Sequence, residues 1–207
     1  IVLIERLFAP LSPSDRAVLA PAFHAALRAS GATVVSEVSS WSEVALCDRV
    51  MALEGGRIVQ HGTPADVYRA PVSRAAAEAL GEVNAVPVIV RDGEADSPIG
   101  RWAVPGCGIE GSGFALLRPE DFEVAAPGEE SDFILGIEEA TFAEGRWKVR
   151  GLLSGGTILC ATLRTAVAPP LRRPLPLRFA RERATIVAGE HEGLGRIPLD
   201  LVPPIAE

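Results

Sequence analysis

The spacing of apolar positions changes period once along this chain. Ile1-Val2-Leu3-Ile4 is an unbroken apolar run closed by Glu5, the pattern of a buried parallel strand. Ser12-Pro13-Ser14-Asp15 reads as a helix start. Leu19, Ala22, Phe23, Ala26 and Leu27 then fall on one expected helical face, and Gly31 supplies the stop. Thr33 to Val35 predicts a second strand. Ser40 with Glu43 predicts a capping box for a short helix through Leu46. Strand, helix, strand, helix is an α/β order.

Asp48 to Pro71 is the most informative passage. Val50 to Leu53 predicts a short strand, Glu54-Gly55-Gly56 a tight turn, and Arg57 to His61 the returning strand. Thr63 is then placed to cap a helix with Pro64 in its first turn and Asp66 near its positive end. Ser73–Leu80 predicts an alanine-rich helix that starts at Ser73 and ends before Gly81. Beyond it the period falls to two. Val86–Arg91, Gly100–Val104, Gly113–Leu117, Phe133–Ala140, Arg146–Leu153, Thr157–Leu163, Pro176–Phe179 and Thr185–Val187 are strand candidates separated by turn residues. Short strands at this spacing predict an all-β barrel or sandwich. Residues 190–207 are expected to be an irregular tail.

Composition narrows the classes. The chain has 207 residues, 48% hydrophobic and 23% charged, enough for two small domains. A net charge of -7 without a basic stretch argues against a nucleic-acid partner. No apolar run is long enough to cross a bilayer, so no direct membrane insertion is expected. Cys47, Cys107 and Cys160 have no metal-site spacing and are expected as small core residues in a reducing compartment. His24, His61 and His191 lie far apart in sequence and are expected as packing or surface residues, so no metal site is assigned.

The Asp48–Pro71 passage closely resembles the end of the nucleotide-binding domain in ATP-binding subunits of ABC transporters, written DRV-hairpin-G-x-P-x-x-[IV]-Y-x-x-P. Ile1–Ser12 is similar to that family's Walker B strand and following loop. The resemblance places Glu5 where the family has the Asp that holds Mg²⁺ through water. It places Arg6 where the family has the Glu that orients the attacking water. A guanidinium cannot serve as a general base near neutral pH. The family's next His, which contacts the γ-phosphate, is replaced by Val38 or Ser39. The resemblance therefore implies a degenerate ATPase half-site, with Glu5, Arg6 and Ser39 at the altered positions and Glu5 alone suited to Mg-ATP. Losing two catalytic positions would reduce phosphoryl transfer by orders of magnitude.

Leu117-Arg118-Pro119-Glu120-Asp121 resembles the RPE motif of the TOBE-type barrel appended to these subunits, and Leu175–Ala188 resembles its closing strands. Arg118, Glu120 and Asp121 are candidates for a regulatory ligand; local ion pairs and turn bonds are the simpler reading. Leu153-Ser154-Gly155-Gly156-Thr157 imitates the family's LSGGQ signature. It lies downstream and between two strand candidates, so it reads as a hairpin turn rather than the helix-opening signature.

The resemblance implies an α/β fold followed by an all-β, OB-like domain. Residues 1–81 would be the C-terminal part of the ATPase domain and 82–189 the barrel. ATP and Mg²⁺ would be the cofactors of the full-length family, with none expected on this stretch alone. A membrane permease would be the partner, homodimerisation the expected assembly, and the cytoplasmic face of the cell membrane the location. The chain looks like a fragment, with the phosphate loop expected upstream. Uptake of ferric iron, polyamines, sulfate or sugars would be served, with iron preferred. The competing class is a non-enzymatic small-ligand-sensing or dimerisation module with a vestigial ATPase segment; a decayed gene product is a third.

Overall fold

Strands β1 (Val2–Ile4) and β2 (Val34–Ser36) run parallel, paired Val2↔Val34 to Ile4↔Ser36, with helix α1 (Pro13–Ala29) between them in sequence. This is seen in a computed structural model that describes residues 1–38 and 41–189. The chain divides into two compact units at Glu82/Val83.

In the first unit, the Ser12 hydroxyl accepts a hydrogen bond from the Asp15 amide and starts α1, with Asp15 in the first turn and Arg28 in the last. The buried face of α1 differs from the expected one. Ala20 is buried and Arg16, Phe23, His24 and Leu27 are half-buried, whereas Leu19, Ala22 and Ala26 are exposed. The expectation counted apolar letters only, and a charged residue occupies the inward stripe. β1 also departs from its expected burial: Leu3 is 78% exposed and Val35 on β2 43% exposed. A sheet of two strands leaves most of such an apolar run uncovered.

Helix α2 (Trp41–Val44) precedes a hairpin of β3 (Val50–Glu54) and β4 (Arg57–Gly62). Gly55 and Gly56 sit at φ +56° and +76° in its two-residue turn, a conformation that glycine adopts without steric cost. Helix α3 (Pro64–Arg69) is capped by Thr63, whose Oγ1 accepts from the Asp66 amide at 3.2 Å. Helix α4 (Arg74–Ala79) is capped in the same way by Ser73. Gln60 on β4 donates to the Ala70 carbonyl and accepts from the Val72 amide, tying hairpin to helix end. Val44, Val50, Val67 and Leu80 form the small core, and Trp41 packs on Tyr68 with ring centroids 4.7 Å apart.

The second unit is all-β. Its strands are β5 (Asn84–Arg91), β6 (Glu94–Ser97), β7 (Gly100–Ala103), β8 (Gly111–Leu117), β9 (Phe122–Val124), β10 (Phe133–Ala143), β11 (Arg146–Leu152), β12 (Ile158–Leu163), β13 (Pro174–Phe179) and β14 (Thr185–Ala188). They form two antiparallel five-stranded sheets, ordered β14-β8-β5-β6-β7 and β12-β11-β10-β13-β9. Alternate residues point inward: Val86, Val88 and Val90 from β5, Leu135 and Ile137 from β10, and Leu159, Ala161 and Leu163 from β12 share one core. β6 was not expected. Its Glu-Ala-Asp-Ser sequence has no apolar alternation; the Asp92-Gly93 turn, both residues at positive φ, folds it back on β5.

One buried side chain joins the two sheets. The Asn84 amide nitrogen donates to the carbonyls of Cys160 (2.8 Å) and Leu117 (3.3 Å), while its oxygen accepts from the Cys160 amide (2.7 Å). Asn84 thus acts toward the outer edge of β12 as a peptide group of a further strand would. None of the three cysteines is in a disulfide; all are half-buried, with Cys107 and Cys47 packed against the cores of their units as the sequence suggested.

Candidate functional site

The C-terminal ends of parallel strands are where open α/β sheets present ligand-binding residues. Glu5 and Arg6 follow β1 at that end, and Glu37 follows β2. The Glu37 amide donates to the Ile4 carbonyl at 2.9 Å, continuing the parallel register by one step and setting Glu37 beside Glu5. Arg6 leaves the strand at φ +45°, a left-handed conformation that costs a non-glycine residue on the order of 1–3 kcal/mol. Its Nε lies 3.9 Å from Glu37 Oε1, with both side chains more than half exposed. Solvent screening leaves such a pair worth less than about 1 kcal/mol. The site therefore presents two carboxylates and one guanidinium, all open to solvent.

Behind this tip the chain returns along α1. Ala9 N bonds Arg6 O and Leu11 N bonds Phe8 O, so residues 6–11 form consecutive turns. Phe8 is buried against Phe23, ring centroids 5.7 Å apart, and against His24. Arg16 reaches up from α1: Nε donates to the Phe8 carbonyl at 3.2 Å, and Nη2 lies 3.4 Å from Ala9 O and 3.5 Å from Leu11 O. The same Nε is 3.5 Å from Glu43 Oε1 on α2, and Glu43 is only 2% exposed. Sequence reasoning missed Arg16 altogether and gave Glu43 a capping role. The available signal was a single arginine placed one turn after a helix start.

Ser39 and Ser40 lie outside the described residues, so that altered position and the expected capping box have no structural account; neither has His191 or the stretch 190–207. His24 packs on Phe8, and His61 Nδ1 accepts from Arg49 at 3.1 Å. Among the described residues no group of three or more His, Cys, Asp and Glu is placed to hold a metal ion. Glu5, an exposed carboxylate at a strand tip, has the donor chemistry for Mg²⁺ held through water. Arg6 does not fit the water-activating role.

The RPE segment of the second unit separates its three candidates. Asp121 and Arg118 are each 6% exposed, whereas Glu120 is exposed. Asp121 Oδ2 accepts from the Arg118 amide at 2.8 Å, and Oδ1 accepts from Arg183 at 3.2 Å. The Asp121 main chain bonds Arg118 O and the Ala180 amide. Burial pushes the Asp121 carboxyl above its ordinary range, opposed by the hydrogen bonds from Arg118 and Arg183. The geometry makes Asp121 a turn lock between β8, β9 and the segment before β14. The Leu153–Thr157 passage is the β11–β12 turn, with Gly156 N donating to Leu153 O at 3.0 Å and Leu153 N to Thr157 O at 2.9 Å.

The order of these parts can be set against known proteins. No family model matches the chain. It is 31% identical over 163 residues to the Fe(3+) ions import ATP-binding protein FbpC of Streptomyces coelicolor, covering 78% of this chain and 43% of the relative. That match is longer than either unit, so it takes in parts of both. The chain resembles part of an iron-import ATP-binding protein. The FbpC of Streptomyces avermitilis is 38% identical over 96 residues, 46% of this chain and 28% of the relative. The FbpC of Escherichia coli K12 is 31% identical over 128 residues, 60% of this chain and 36% of the relative. The chain spans less than half the length of these FbpC proteins. Among the described residues no helix is long and apolar enough to cross a membrane.

Proposed function

We propose that this chain is the C-terminal part of the ATP-binding subunit of an ABC importer, with a degenerate nucleotide half-site and a TOBE-type regulatory barrel. The observation that supports it best is the similarity to FbpC over 78% of the chain, long enough to run through both units. It agrees with the placement of Glu5 and Arg6 at the tip of a parallel strand and with the capped helix that follows the β3–β4 hairpin. The relatives' names make ferric iron the preferred solute. A membrane permease is then the partner, a second copy the expected neighbour, and the cytoplasmic membrane face the location. ATP is the substrate and Mg²⁺ its companion ion, with Glu5 the carboxylate suited to that ion.

In this reading the site binds Mg-ATP and turns it over slowly, because Arg6 cannot accept a proton. Loss of a general base costs about 10²–10⁴-fold. The test is MgATP binding and phosphate release by the full-length subunit, alone and with its permease. Binding with turnover reduced by about that factor, and a rise of at least about tenfold in Arg6→Glu, are expected. Family-normal turnover in the unaltered subunit, or no nucleotide binding, refutes the reading.

A second reading, a small-ligand-sensing module, draws on a polar cleft of about 530 Å³ in the second unit, lined by Gly100, Arg101, Glu129, Asp132, Arg178 and Arg181 among others. Each of these arginines already faces a carboxylate: Arg101 on Asp96, Arg178 on Glu129 and Arg181 on Asp132. Lining arginines that already pair with carboxylates make the transporter reading the better supported of the two.

A further inference from the structure

The turns after β1 are anchored by one buried side chain, Phe8, and by few backbone hydrogen bonds of their own. Two hydrogen bonds, Ala9 N to Arg6 O and Leu11 N to Phe8 O, define them, and Arg6 sits in a strained left-handed conformation at their start. One guanidinium adds what the turns lack. Arg16 meets the carbonyls of Phe8, Ala9 and Leu11 and, from the same planar group, the buried carboxylate of Glu43 on α2. A rigid fork with five N–H donors can serve several acceptors at once, which an ammonium does not do with fixed geometry.

We infer that Arg16 is a positioning residue: it fixes residues 6–11 against α2 and so sets where Glu5 and Arg6 stand at the β1 tip. The inference rests on the proposed nucleotide site only for its effect on turnover; the loop it holds is a property of the fold. α2 follows β2 in sequence, so the Arg16–Glu43 contact ties the segment after one strand tip to the segment after the other. A shift of α2 would be passed to the residues after β1 through one side chain.

A pair that merely stabilises the unit is distinguished by replacing both charges. In the full-length protein, the double variant Arg16→Met/Glu43→Leu leaves no buried charge unpaired and refills most of the volume. Three readouts are taken: the thermal midpoint, hydrogen exchange at the Ala9 and Leu11 amides, and the kcat and KM of MgATP turnover. The expected result is a midpoint close to wild type and loop amides exchanging at least tenfold faster while α1 amides are unchanged. kcat should fall at least tenfold with a smaller change in KM, and Arg16→Lys should be intermediate. Wild-type exchange at Ala9 and Leu11 in the folded double variant overturns the inference. So does a loosened loop with unchanged kcat. If the unaltered protein binds no MgATP, the proposed function fails, and the exchange rates still decide the role of Arg16. If the double variant does not fold, exchange in Arg16→Lys decides it: faster loop amides support the inference and unchanged ones overturn it.

Discussion

Replacing Asn84 by alanine should open the seam between the two sheets of the second unit. The side chain is 6% exposed and makes three hydrogen bonds, two of them to Cys160 at 2.7 and 2.8 Å and one to the Leu117 carbonyl at 3.3 Å. Each such bond contributes about 0.5–1.5 kcal/mol net, and each partner left buried without a replacement costs about 1–3 kcal/mol. Water can reach the half-buried Cys160 backbone, so the larger figure applies to only part of the set. The expected loss is about 2–5 kcal/mol, which lowers the midpoint of a domain of this size by on the order of 10 °C or more. Asn84→Asp should be no better at neutral pH, because a carboxylate would face two carbonyl oxygens without a donor. The assay is urea unfolding followed by the fluorescence of Trp102 and Trp147, which both lie in this unit, together with hydrogen exchange at the Cys160 amide. A loss below about 0.5 kcal/mol with an unchanged denaturant slope, or an unchanged Cys160 amide, would refute the argument that this amide closes the seam.

Two further outcomes follow from the same unit. A Cβ on Gly151 would collide with the Gly136 carbonyl oxygen and stand 2.9 Å from Leu135 Cγ, beside the bulge at Ile137/Glu139. Gly151→Ala should therefore cost about 1–3 kcal/mol in a denaturation curve, and a neutral effect would show that the β10–β11 pairing can shift. Asp121 has its folded pKa raised above the ordinary 3.8. Its contribution to stability is therefore fully present below that value and is lost as pH rises through the folded pKa. Asp121→Asn removes this dependence, so the variant should gain relative to wild type between about pH 3 and neutrality. Unfolding curves at the two pH values check the sign, and a relative loss would refute it.

The sequence made some parts legible because their physics is local. Gly55-Gly56 demands a tight turn, and Thr63 and Ser73 cap helices within three residues of themselves, so the hairpin and both helices could be placed from short stretches. The long alternating runs of β5, β10 and β12 were equally plain. What stayed hidden depends on distant partners. β6 is polar and exists because a turn folds it onto β5. Asn84 looks like any strand-edge asparagine until Cys160, 76 residues away, is brought to it. Arg16 broke the apolar count on α1, because the carbonyls it serves belong to Phe8, Ala9 and Leu11, and only the fold brings them to it. At the candidate site, the motif order gave Glu5 and Arg6; Glu37 was overlooked because only strand pairing places it beside them.

The turn at Leu153–Thr157 bears on how motifs in such chains should be searched. Its four letters Leu-Ser-Gly-Gly spell the opening of a phosphate-facing helix elsewhere, yet here Gly155 and Gly156 have φ of +95° and +84°. Successive left-handed residues reverse the chain instead of launching a right-handed helix. Identical text thus accompanies opposite backbone hands, and an alignment anchored on those letters would misplace every residue downstream of them.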